Sequence, residues 1–313
     1  MELRKDYLLD RWVIVSEVRA KRPRDFKKKA VKANEENICF FCPGHEHLTP
    51  PEIMRVGGRK WRFRVFPNKF PAVSEEGWPH IKTDNTYFTF GAAYGRHEVI
   101  VETSDHDQQL WDLTGDDISE LFRIYDLRIQ ALSRLQHTEY VALFKNHGKE
   151  GGTSLIHSHT QLLSINMVPI VVQHKLEATL RHGHCPYCEI IHVEKNSYRR
   201  CFENDDFVAF TPYASRFNFE IWVFPKKHLS ALNQLMPAQR SSLGDIMQKI
   251  LAKLKSINAS YNYFLHYAPQ GKDLHFHIEV TPRLATWAGF EYCTGITINS
   301  VSPEEAAKFY RGE

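Results

Sequence analysis

The sequence predicts an α+β protein made of two repeats, each an antiparallel sheet with a helix packed on one face. Two observations carry the prediction. The order Cys-x-x-Cys, histidine, amphipathic helix, His-x-His is written twice along the chain. Between those landmarks lie short apolar runs rich in β-branched and aromatic residues, bounded by turn residues, which read as strands. Chance rarely repeats so long an order, so the pattern marks an internal duplication.

The first repeat opens with a strand at residues 11–16 (RWVIVS), followed by a basic stretch with Arg19, Lys21, Arg22 and Arg24, then Lys27, Lys28 and Lys29. The lysine run reads as a solvated loop. Arg19 and Arg22, nearer the strand, suit bidentate binding of phosphate. Residues 38–44 (ICFFCPG) form a knuckle carrying Cys39 and Cys42, residues 63–68 a strand ending at a turn, and residues 97–103 (HEVIVET) a strand closing at Asp105 and His106. Thr114 opens a helix by capping-box logic, with Asp117 in place of glutamate. Ile118, Leu121, Phe122, Tyr125, Ile129, Leu132 and Leu135 continue it at helical spacing. Residues 140–146 are a further strand, and they lead into residues 151–161 (GGTSLIHSHTQ).

The second repeat follows the same order. Cys185 and Cys188 form its knuckle, and residues 207–212 its strand and turn. Residues 220–228 match residues 98–106, each with a histidine eight positions after a glutamate. Pro237 begins a helix carrying Leu243, Ile246, Met247, Ile250, Leu251 and Leu254. A strand at residues 261–267 then leads to His275, His277 and Glu279. The repeats are expected to meet near residues 169–184, giving domains 1–175 and 176–313.

Composition narrows the function class. At 313 residues, 42% hydrophobic and 25% charged, the chain has ample material for a core. A net charge of +3 does not call for a nucleic-acid partner. No apolar run reaches the roughly 18 residues of a membrane span, and the first residues lack the apolar core of a signal peptide. The expected location is the cytoplasm. There, Cys-x-x-Cys pairs are more often metal clips than disulfides, with a redox pair as the alternative.

The duplication sharpens the metal reading. Cys39, Cys42, His106 and His157 make one Cys2His2 set, and Cys185, Cys188, His228 and His275 the other. Four such ligands suit tetrahedral zinc and leave no place for a water, so both sites read as structural. For His106 and His228 the other reading is a plain surface residue.

Residues 151–161 read as a strand approach that puts His157, His159 and Gln161 on one face. Gly151 and Gly152 permit close backbone approach to a ligand, and Thr153 and Ser154 add hydroxyl donors suited to phosphate. A polar strand edge with two surface histidines is the alternative. If His157 faces metal, His159 is left for substrate, where a neutral imidazole is a good nucleophile toward phosphorus. Gln161 can donate its amide to a phosphoryl oxygen. The second repeat has Glu279 at that position, a carboxylate that would repel phosphate, and it lacks the Gly-Gly-Thr-Ser lead-in. His277 therefore reads as a structural residue or an extra metal ligand, and the first repeat as the active copy.

Taken in order, these residues resemble the galactose-1-phosphate uridylyltransferase branch of the histidine-triad superfamily. The resemblance rests on residues 11–16 with residues 19–23 (RAKRP), the Cys39/Cys42 knuckle, residues 65–68 (VFPN), Asn146, Ser154 and residues 157–161, and it spans nearly the whole chain. It implies tandem histidine-triad-like repeats. It also implies a ping-pong transfer in which the His159 equivalent takes UMP from UDP-glucose and passes it to a hexose 1-phosphate. The equivalents of Arg19, Arg22, Asn68, Asn146, Ser154 and Gln161 would hold the nucleotide and its phosphates. The tail near Glu291 would add sugar contacts, often across a homodimer. Two departures, His-Ser-His-Thr-Gln in place of His-Pro-His-Gly-Gln and the second Cys-x-x-Cys, are more similar to the ADP-glucose phosphorylase branch, which transfers AMP to phosphate. Zinc is implied at both metal sites, with iron an alternative at the second. A hydrolase of the small histidine-triad type would carry a third histidine at the Gln161 position to protonate a leaving group. A pure binding module would not need the residue 151–154 cradle.

Overall fold

The computed structural model describes residues 1–5, 12–15 and 38–313. Arg19, Arg22 and the lysine run lie outside the described residues. In chain order the first strands are β1 (Glu2–Lys5), β2 (Trp12–Val15), β3 (Met54–Val56), β4 (Phe63–Pro67), β5 (Lys82–Asp84), β6 (Phe88–Ala92) and β7 (His97–Val101). Helix α1 (Gly115–Ser133), β8 (Tyr140–His147), β9 (His159–Ile165), α2 (Ile170–His182) and α3 (Pro186–Glu194) follow. The rest are β10 (Arg200–Glu203), β11 (Phe207–Phe210), β12 (Ile221–Pro225), α4 (Pro237–Ser256), β13 (Tyr261–His266), β14 (His277–Pro282), α5 (Gly289–Thr294) and α6 (Pro303–Arg311). The fold is α+β, and every pairing between the described strands with a defined register is antiparallel.

The chain divides into two compact units. The first comprises Met1–Gln109, Leu127–Leu143 and Ser154–His174. In it β3, β4, β7 and β9 pair in that order. Val101 lies opposite both Arg64 and His159, and Val99 opposite both Phe66 and Gln161. Because alternate residues share a face, Arg64, Phe66, Val99, Val101, His159 and Gln161 line one side of the sheet. Phe41 and Trp61 pack on that side with Phe66, Val99 and Val101. A smaller sheet runs in the order β2-β1-β6-β5.

The second unit comprises Leu110–Asp126, Phe144–Thr153 and Lys175–Glu313. Its strands run β10, β11, β12, β14, β13, and the Phe144–His147 end of β8 pairs with β13. Helix α4 buries all six of the apolar residues whose spacing predicted it. Its neighbour is the first turn of α1, which comes so close that a Cβ on Gly244 would lie 2.4 Å from the Gly115 carbonyl oxygen. Thr114 caps α1 as its sequence suggests, accepting from the Asp117 N–H at 3.1 Å and donating to the Asp117 carboxylate at 2.8 Å.

Two local expectations change. Strand β9 begins at His159, so His157 lies in the bend before it. The chain leaves the ladder there because the His157 ring must reach Cys39 and Cys42. Cys185 is the N-cap of α3 with Pro186 at the first helical position, so the second Cys-x-x-Cys spans a helix start and not a loop knuckle. Residues 169–184 are mostly helix α2, and the partition between the units passes through that helix after His174.

Candidate functional site

In the first unit Cys39, Cys42, His106 and His157 bring their ligand atoms within 4.8 Å of one another, and in the second Cys185, Cys188, His228 and His275 do the same. His157 Nδ1 is 3.5 and 3.6 Å from the sulfurs of Cys39 and Cys42, and His106 Nδ1 is 3.4 Å from Cys42 Sγ. His275 and His228 repeat this, with Nδ1 3.5 Å from Cys188 Sγ in each case. Metal–sulfur and metal–nitrogen bonds of zinc length at tetrahedral angles predict a sulfur–nitrogen separation of roughly 3.6 Å. The far nitrogens are oriented as metal-binding imidazoles require. Nε2–H of His157 donates to the Thr103 carbonyl at 2.8 Å, that of His275 to the Pro225 carbonyl at 2.9 Å, and that of His228 to Asp273 at 2.8 Å. Burial and the neighbouring thiol push Cys42 up to about 12 and Cys188 to about 11, so paired thiolates here need a cation. The donor sets fit zinc, with four protein ligands and no open position.

The first knuckle also shapes the chemistry beside it. Phe41, held between Cys39 and Cys42, meets the His159 ring edge-on with centroids 5.4 Å apart. His159 Nδ1–H donates to the His157 carbonyl at 2.8 Å. A carbonyl can only accept, so the proton sits on Nδ1 and the lone pair on Nε2, the tautomer a nucleophile needs. Buried Glu102 secures the intervening residues by accepting from the hydroxyls of Ser158 and Thr160. The even positions of the His-Ser-His-Thr-Gln run therefore serve structure, while His159 and Gln161 lie on the other face of the strand.

His159 and Gln161 line a cavity of the first unit together with Asn68, Lys69 and Ser154. Its apolar wall includes Phe40, Phe41, Leu48, Pro50, Phe66, Val99 and Leu155. The candidate amide side chains have their acceptor ends tied down. Gln161 Oε1 faces His97 Nε2 at 3.0 Å, and Asn68 Oδ1 accepts from the Phe70 N–H at 2.8 Å. In the second unit, Asn146 Oδ1 accepts from Asn262 Nδ2 at 2.8 Å. Each amide therefore presents its NH2 group, a neutral donor suited to anionic oxygen.

Several candidates have other surroundings. Gly151 belongs to the second unit, where a Cβ would lie 2.2 Å from the His147 carbonyl oxygen, so its smallness serves backbone packing and not approach to a ligand. Gly152, at φ +79°, holds a left-handed turn, and Thr153 follows it in that unit. Glu291 accepts from the Ala288 N–H at 2.9 Å and caps α5.

At the corresponding place in the second repeat, His277 Nδ1 again bonds the His275 carbonyl, at 2.8 Å. Its Nε2 is taken by Lys175, whose ammonium lies 2.7 Å away and also binds Glu279. Arg216 joins Glu279 to Glu220. Burial alone would raise the Glu279 carboxyl, yet His277 and the Lys175 charge hold it well below the usual range. This copy is an ion-paired core where the first has a histidine that lines a cavity.

His97, Glu102, Lys69, Asn262 and Asp273 were not singled out by the sequence reading. The signal for Glu102 was present as a carboxylate inside an apolar strand, which burial obliges to find donors. For Asn262 and His97 there was none, because their roles depend on partners distant in sequence.

Two family models match the chain. The N-terminal domain of galactose-1-phosphate uridyl transferase matches residues 1–169, and a domain of unknown function, DUF4921, matches residues 89–309. An ADP-glucose phosphorylase of Arabidopsis thaliana is 34% identical over 99% of this chain and 92% of its own. A galactose-1-phosphate uridylyltransferase of Thermotoga maritima is 30% identical over 99% of this chain and 98% of its own. Among solved structures, an Arabidopsis thaliana ADP-glucose phosphorylase with bound ADP-glucose superposes with a TM-score of 0.77 at 32% identity, covering 100% of this chain and 99% of that one. A uridylyltransferase structure does so with a TM-score of 0.83 at 28% identity, covering 100% and 98%.

Proposed function

The chain belongs to the galactose-1-phosphate uridyl transferase family, a family of transferase enzymes, and on that footing we propose that it moves a nucleotidyl group in two steps through His159. The observation that carries the reading is the Nδ1–H bond from His159 to the His157 carbonyl, beside a cavity with donor amides. In the first step His159 Nε2 attacks the α-phosphorus of a nucleotide-sugar. The Nε2–P bond forms, the bond from phosphorus to the bridging oxygen breaks, and sugar 1-phosphate leaves with that oxygen. The imidazolium charge that develops is stabilised by the carbonyl at Nδ1. In the second step an oxygen of the acceptor phosphate attacks the same phosphorus, and the P–N bond breaks to regenerate His159.

Gln161 and Asn68 hold phosphoryl oxygens through their NH2 groups, joined by Ser154 of the same unit. Glu291 meets the sugar, in a homodimer. Zinc in the Cys2His2 sets would act as a structural cross-link. Cys39, Cys42, His106 and His157 thereby steady the Phe41 ring and the His157 carbonyl that orient His159.

Two readings of the nucleotide remain. Transfer of UMP from UDP-glucose to a hexose 1-phosphate is supported by the family model over residues 1–169. Transfer of AMP from ADP-glucose to phosphate is supported by the second Cys2His2 set and by the 34% identity to an ADP-glucose phosphorylase. Intact-mass spectrometry after mixing enzyme with each nucleotide-sugar, without acceptor, separates them. A UMP adduct, lost in His159→Asn, supports the first reading, and an AMP adduct the second. No adduct with either, or an adduct that survives His159→Asn, sinks the covalent mechanism.

A further inference from the structure

We propose that His97 is a positioning residue that sets the direction of the Gln161 amide, so that its NH2 group and not its carbonyl meets the transferring phosphoryl group. The inference rests on Gln161 acting as assigned above. A glutamine amide can turn over, and its two ends have opposite consequences: NH2 attracts a phosphoryl oxygen and C=O repels it. Whatever holds the far end decides.

The far end is held by one ring. His97 is the first residue of β7, on the same face as Val99, which lies opposite Gln161. Its Nε2 is 3.0 Å from Gln161 Oε1, and its Nδ1 is 3.2 Å from the Ala72 nitrogen. A backbone N–H can only donate, so Nδ1 carries the lone pair, the ring is neutral, and the proton is on Nε2. The order is then fixed: Ala72 N–H to Nδ1, Nε2–H to Gln161 Oε1, and the Gln161 NH2 group toward the cavity. Asn68 lies beside the same ring. Its Nδ2 lies 3.2 Å from the same Nε2, and its Oδ1 stays on the Phe70 N–H. His97 is 4% exposed, so water is poorly placed to substitute for it.

The second repeat is consistent with this role. Where the first has His97 and Gln161, it has Phe219 and Glu279. A carboxylate has two equivalent oxygens and nothing to orient, and the histidine is absent with the need for it.

The test follows formation of the His159 adduct by quenched-flow intact-mass spectrometry with UDP-glucose and with ADP-glucose. His97→Leu is expected to slow adduct formation roughly 10- to 100-fold while the apparent affinity for nucleotide-sugar changes less than about 3-fold. His97→Gln, which keeps an N–H near the Nε2 position, should stay within about 5-fold of wild type, whereas His97→Asn, too short to reach Gln161, should behave like His97→Leu. In a Gln161→Ala background, His97→Leu should add less than about 2-fold, because the residue it acts through is gone. If His97→Leu is as fast as wild type, or slows the Gln161→Ala enzyme as much as it slows wild type, the positioning role is overturned. Should His97→Leu fail to fold, as judged by thermal melting, the His97→Asn and His97→Gln pair decides the same point. Gln161→Ala with undiminished rate overturns the Gln161 assignment and this inference together, and a wild-type enzyme forming no adduct overturns the covalent reading itself.

Discussion

Arg64 is fully buried on the His159 face of its sheet, and a charge placed there must be answered. Its guanidinium bonds Glu52 and donates to Thr49 Oγ1 at 3.0 Å, between the rings of Trp61 and Phe66. Thr49 and Phe66 line the cavity, so this pair supports the wall against which a ligand would rest. Hydrogen bonds from Arg55 and then Arg64, working against partial burial, hold the Glu52 carboxyl below its ordinary value of 4.5. A lowered folded-state pKa gives stability that is present above that ordinary value and lost as pH falls through the lowered one. Glu52→Gln should therefore cost about 3–5 kcal/mol at neutral pH by leaving Arg64 unanswered. It should also flatten the fall in melting temperature as pH drops below the ordinary carboxyl value of 4.5. Thermal melting of both proteins across that range checks this, and parallel curves would show that Glu52 carries no such linkage.

At the level of elements, the two longest helices show periodicity succeeding and its limit. Apolar spacing and the Thr114 cap locate α1, and spacing with Pro237 locates α4. Spacing does not say how closely two helix surfaces approach. The contact of Gly244 with the first turn of α1 admits no side chain, since the nearest atom is a backbone oxygen that cannot swing aside. Gly244→Ala is expected to destabilise the protein by about 1–3 kcal/mol despite alanine's better helix propensity. Urea titration measures it, and a neutral or stabilising result would mean that the helices separate at little cost. The entry to β9 shows the same limit. Its alternation is visible in sequence, but its start at His159 follows from the His157 ring turning to the thiols and from Glu102 fastening Ser158 and Thr160.

For the whole molecule, duplication has kept both Cys2His2 sets while the His-x-His sites diverged. Each set ties a Cys-x-x-Cys to histidines distant in sequence, within one unit. Such sites couple metal binding to folding. Cys39→Ser and Cys185→Ser should each lower metal content by about one ion per chain and lower the melting temperature, with a strong chelator acting on both sites. Elemental analysis beside calorimetry tests this, and unchanged metal content in either variant would remove that set from the assignment. Among the described residues no helix is long and apolar enough to cross a membrane.

Helices α1 and α4, the repeated landmarks, the gathering of each Cys-x-x-Cys pair with its two histidines, and the shared strand face of His159 and Gln161 were legible in the residues. Each is written in local spacing or in a repeated order, and spacing of that kind survives in one dimension. What the chain order could not convey is which groups answer one another across the fold. That His97 meets Gln161, that Asn262 meets Asn146, and that Lys175 closes the second repeat over His277 are contacts between residues far apart in sequence. The direction of an amide, the tautomer of a ring and the state of a buried charge depend on such partners, and the partners come together only when the strands pair.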